Sequence, residues 1–94
     1  MGIPKEIKIG GYDYTVSMEN SLSRDNNAFG MSCGNAQTIK IDATLPKQNQ
    51  ESTLLHEIIE QINFRYELRL PHEQITILES ALYQVLKDNK LSFE

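Results

Sequence analysis

The spacing of apolar and polar positions changes once along this chain, near residue 50. Before that point the repeat is two. Glu6-Ile7-Lys8-Ile9 alternates strictly, Gly10-Gly11 follows, and Tyr12-Asp13-Tyr14-Thr15-Val16 alternates again, a pattern that predicts a tight β-hairpin. Glu19 to Asn27 is polar and reads as a loop. Phe29-Gly30-Met31-Ser32-Cys33, a turn at Gly34-Asn35, and Thr38-Ile39-Lys40-Ile41-Asp42 make a second hairpin. Two successive hairpins predict a small, mostly antiparallel sheet with one face covered.

Beyond residue 50 the repeat is helical. Leu54, Leu55, Ile58, Ile59, Ile62 and Tyr66 form one broad stripe on a helix of about residues 50–66, with Asn49 or Ser52 available to cap it. Pro71 suits the first turn of a second helix, about residues 71–89. Its stripe is Ile75, Leu78, Leu82, Val85 and Leu86, and Asn89 suits its end. Leu91-Ser92-Phe93-Glu94 is a tail that either frays or adds an edge strand. Residues 1–94 thus read as one α+β domain, with strands between about residues 5 and 42 packed by a two-helix hairpin.

The first helix carries His56-Glu57-Ile58-Ile59-Glu60, an H-E-x-x-E pattern one residue away from the H-E-x-x-H of helix-borne zinc sites. Residues four apart share a helix face, so His56 and Glu60 can converge on one ion. His56, Glu60 and Asn63 border the first apolar stripe, and His72, Thr76, Glu79 and Tyr83 border the second. Candidate metal ligands are therefore His56, Glu60, His72 and Glu79. Catalytic zinc usually takes three protein ligands and a water. His56, Glu60 and His72 would supply two imidazoles and a carboxylate. With Glu79 in place of His72 the set is more anionic and tolerates another, harder divalent ion better. Chemistry favours His72. A tight helical hairpin favours Glu79, because it leaves His72 roughly 10 Å toward the turn at about 1.5 Å per residue, whereas a splayed crossing brings His72 closer. Without a metal, His56 and Glu60 are an ordinary pair on a helix flank and Glu57 a surface carboxylate.

Composition narrows the function classes. With 94 residues and 39% apolar content, the domain buries only somewhat over ~60% of its unfolded surface. A net charge of −4 argues against nucleic-acid or anionic-membrane partners. Cys33 is the lone cysteine, which excludes an intrachain disulfide framework, fits a cytoplasmic protein and reads as a small buried residue. No signal core and no run of ~18 apolar residues is present.

Short strands, a helix bearing His56-Glu57-Ile58-Ile59-Glu60 and then a second helix resemble minimal zincin-like metallopeptidase domains. The stretch from Thr53 to Asn89, with Leu82-Tyr83-Gln84-Val85-Leu86-Lys87-Asp88-Asn89, is similar to small phage- and prophage-encoded proteins of that type. The resemblance implies a metal, zinc foremost, held by His56, position 60 and a residue of the second helix, with Glu57 as general base. The departure is Glu60 where that pattern has histidine. In an enzyme of this kind Glu57 takes a proton from water and returns it to the leaving amine of a peptide or protein substrate. Tyr83 could then hydrogen-bond the developing oxyanion. The alternative is a catalytically degenerate, non-enzymatic module that binds a host or phage protein.

Overall fold

The computed structural model describes residues 2–20, 22 and 28–93. The expected loop over residues 19–27 lies mostly outside them. Four strands, β1 (Glu6–Ile9), β2 (Tyr12–Glu19), β3 (Gly30–Cys33) and β4 (Thr38–Asp42), precede two helices, α1 (Lys47–Tyr66) and α2 (His72–Asp88). The fold is α+β, as the change of period implies.

Both hairpins form: β1 pairs with β2 and β3 with β4, each antiparallel. Gly10 and Gly11 both take positive φ, the backbone a two-residue turn needs and a Cβ resists. The hairpins join through β2 and β4, which run parallel with Val16 opposite Ile39. The sheet is therefore mixed, in the order β1-β2-β4-β3. Burial explains why β4 takes the inner place. Ile39, Ile41 and Asp42 are fully buried, whereas β3 is short and carries Gly30 and Ser32. The strand with most to bury goes to the centre, and the short polar one closes the edge.

One face of the sheet carries the core, Ile9, Tyr14, Val16, Ile39 and Ile41, with Leu54, Ile58 and Ile62 of α1 packed on it. The side chains of the other face, Lys8, Asp13, Thr15 and Lys40 among them, are exposed. Cys33 lies there exposed, against the expectation of burial, because its place in β3 points it away from α1.

α1 starts three residues earlier than expected, after Pro46, and no side chain caps it. Pro46 supplies the pre-set φ, its carbonyl accepts from the Gln50 amide at 3.0 Å, and Ser52 turns its hydroxyl to the Asn49 carbonyl. Pro71 stands just outside α2, where its carbonyl accepts the first helical bonds from Gln74 and Ile75. α2 lies against α1 rather than on the sheet. Of its expected stripe only Ile75 is buried, while Leu78, Leu82, Val85 and Leu86 remain partly in solvent. Residues 91–93 form no strand.

Candidate metal centre

His56 and Glu60, one turn apart on α1, bring Nε2 and Oε2 to 3.5 Å. The chain then reverses through residues 67–71, and His72 opens α2 with its Nδ1 3.1 Å from the same Glu60 Oε2. The two imidazoles meet edge-on, with ring centroids 5.1 Å apart. One ligand atom from each of His56, Glu60 and His72 lies within 4.8 Å of the others. Tetrahedral zinc, at about 2.1 Å from each ligand, holds them roughly 3.4 Å apart. With separations of up to 4.8 Å, the cluster is looser than a bound zinc would hold it.

Glu79 comes from the next turns of α2 and meets the other side of His56, with Oε1 3.3 Å from Nδ1. His56 thus faces Glu60 through one ring nitrogen and Glu79 through the other. An imidazole binding an ion through Nε2 needs its Nδ1–H held by an acceptor, and Glu79 stands in that position. Exposure grades across the cluster: His56 15%, Glu79 17%, Glu60 29% and His72 72%. The inner pair is walled by protein and the outer histidine is wet.

His72 stands beside Glu60 and the edge of the His56 ring rather than displaced toward the turn as a tight hairpin would leave it, and Glu79 reaches His56. The reason is the turn. Glu67 and Arg69 both take left-handed backbone, at φ 52° and 60°, and fold the connection sharply back. Asn63 clamps it: Oδ1 accepts from the Leu70 amide at 2.9 Å, and Nδ2 donates to the Leu70 carbonyl at 3.2 Å.

Glu57 is 7% exposed, far from the surface carboxylate of the metal-free reading. It faces β3, where the Ser32 hydroxyl donates to its Oε1 at 2.7 Å. Burial pushes its carboxyl above the usual carboxylate range, and the Ser32 bond opposes the shift in part. Ser32 in turn accepts from Gln61 Nε2 at 2.9 Å, and Gln61 Oε1 accepts from the Tyr14 hydroxyl at 2.7 Å. Arg65 closes the chain, with Nε donating to the Tyr14 oxygen and Nη2 to the Gly34 carbonyl. Glu57, Gln61 and Arg65 are spaced by four, so α1 aims a polar row at the sheet and every described member of it has a partner.

Tyr83 stands elsewhere. Its hydroxyl donates to Glu51 Oε1 at 2.6 Å, beside Lys87 Nζ at 2.8 Å from the same oxygen. These bonds hold the Glu51 carboxyl below its usual range, Lys87 foremost, while burial and the Glu51 charge push the Tyr83 phenol up. Tyr83 does not line the cleft that holds His56, Glu57, Glu60, His72 and Glu79. It pins α2 to α1 instead. That cleft has a volume of about 1030 Å³ and continues past Phe29, Met31 and Phe64.

Ser32, Gln61 and Asn63 bear on the site without being candidates for it in the sequence; helical spacing places Asn63 on the border with His56 and Glu60 but gives it no role. Gln61 had one signal, its spacing of four from Glu57. Ser32 had none, because its role depends on which strand lies under α1. Compared with protein-family models, curated proteins and solved structures, the chain matches none, so geometry alone carries the functional argument.

Proposed function

We propose that this protein is a minimal zincin-like, metallopeptidase-like hydrolase that binds a divalent ion, zinc foremost, at His56, Glu60 and His72. The convergence of those three ligand atoms from two helices supports the reading most directly. Two imidazoles and one carboxylate are an established catalytic zinc set. Bound there, zinc would act as a Lewis acid on a carbonyl and make water a nucleophile near neutral pH. Glu79 holds the Nδ1 side of His56 and fixes the ring. Glu57, buried and steadied by Ser32, takes a proton from water and delivers it to a leaving amine, a role its raised pKa favours. Kinship with small phage- and prophage-encoded proteins, and the host cytoplasm as compartment, belong to the same proposal.

Elemental analysis of the purified chain tests it. One zinc per chain, lost in His56→Ala, is the expected result, and Glu57→Gln should retain the metal while abolishing peptide hydrolysis. A metal-free protein whose melting ignores chelators would overturn the reading. A second reading, a binding module without catalysis, draws on the exposed apolar side chains of α2, Ile77, Leu82 and Val85 among them. Stoichiometric zinc with no hydrolysis by either Glu57 form would favour it.

A further inference from the structure

Asn63 has no ligand atom in the cluster, yet its side chain bonds both backbone groups of Leu70, two residues before His72. We infer that Asn63 is a positioning residue for the metal centre, acting through the turn that delivers His72. This inference rests on the metal reading given above.

The argument begins with the backbone between the helices. Glu67 and Arg69 are non-glycine residues in the left-handed region, a conformation that costs about 1 kcal/mol or more apiece and persists only where surroundings over-determine it. Pro71 then fixes the φ of the residue immediately before His72. Helix α1 ends by ordinary means, with the Glu67 and Leu68 amides both bonding to the Asn63 carbonyl. That satisfies the helix end but leaves residues 69–71 unspecified. The Asn63 side chain specifies them, because its amide pairs with both backbone groups of Leu70 like one more rung of a ladder.

Leu70 is two residues from His72, and Asn63 lies three residues beyond Glu60 on the same border of α1. The clamp therefore sets the separation of Glu60 from His72 directly. His72 needs such a device, since its side chain is 72% exposed, against 15% for His56. His56 is held by Glu79 and by burial, and so does not depend on Asn63.

The experiment is a zinc titration by chelator competition on the full chain and on Asn63→Ala, Asn63→Asp, His72→Ala and the Asn63→Ala/His72→Ala double variant. Circular dichroism of each metal-free form reports its folding. Asn63→Ala should weaken zinc binding by about 10–100-fold, the usual effect of removing a group that orients a ligand. Asn63→Asp keeps the acceptor for the Leu70 amide and loses the donor, so it should fall between parent and Asn63→Ala. Combined with His72→Ala, the Asn63→Ala change should have no further effect beyond about twofold, because the ligand it positions is gone. A full, multiplicative loss in the double variant would show only a general loosening and overturn the inference. So would unchanged affinity in Asn63→Ala. Should Asn63→Ala fail to fold, the aspartate variant decides: parental affinity overturns the inference and an intermediate value supports it. A parent chain that takes up no zinc ends the metal reading itself, a result distinct from either outcome.

Discussion

At Gly30 the helix α1 packs closely on the sheet, and a methyl group there should force the two apart. A Cβ at Gly30 would lie 2.5 Å from Thr53 Cγ2, 3.2 Å from the Lys40 carbonyl oxygen and 3.3 Å from Glu57 Cγ. Ordinary carbon–carbon contact needs about 3.5–4.0 Å, so the Thr53 methyl must retreat by roughly 1 Å. It has little freedom to do so: Thr53 is buried, and its branched side chain has few helical rotamers. The helix itself must give, at a cost of about 1–3 kcal/mol for overpacking. Gly30 is not in the left-handed region, so alanine recovers about 0.4–1 kcal/mol from the unfolded chain. Taking the middle of each range, the net loss is about 1.3 kcal/mol, or a Tm lower by roughly 5–10 °C in a domain of this size. The assay is thermal unfolding by circular dichroism with chelator present. Thr53→Ser deletes the offending methyl, and in that background Gly30→Ala should cost less than half as much. An equal loss in both backgrounds, or a Gly30→Ala melt within 1 °C of parent, would refute the close approach. The same retreat carries Glu57 away from Ser32, linking this packing contact to the site.

Tyr14→Phe removes the hydroxyl that serves both Arg65 and Gln61; stranding the buried Gln61 oxygen and the half-buried Arg65 Nε should cost about 1–3 kcal/mol, and a melt equal to parent would count against the relay. Glu57→Gln should raise the Tm of the chelator-treated protein at pH 7. Its folded pKa lies above the ordinary 4.5, so its contribution is fully present below about 4.5 and is lost as pH rises through the folded value; the gap between variant and parent should close toward pH 4, and a variant less stable at pH 7 would contradict the desolvation argument. Tyr83→Phe should lower stability by about 0.5–1.5 kcal/mol and leave zinc affinity untouched; a large loss of affinity would return Tyr83 to the site. Because Glu51 is held below 4.5, its support of the helix pair is present above that value and lost as pH falls through the folded pKa. The Tyr83→Phe deficit should shrink in acid accordingly.

The strands, the helices and their limits within a few residues follow from local chemistry, because alternation of two, helical spacing and Gly10-Gly11 each act over a single turn or strand. The pairing of His56 with Glu60 is equally local, being fixed by the pitch of α1. What the sequence by itself could not determine were relations between segments distant along the chain. That β4 would enter the sheet beside β2 depended on comparing burial across strands. That Glu57 would point inward depended on β3 offering Ser32, and the surface carboxylate of the metal-free reading is not what the fold makes of it. His72 and Glu79 were both admissible partners, and the tertiary structure brought each to a different side of His56. Two left-handed residues clamped by Asn63 moved His72 far from where a straight hairpin would leave it. The physical reason is common to all four: periodicity reports which face a residue occupies, whereas packing and turn geometry decide what that face meets.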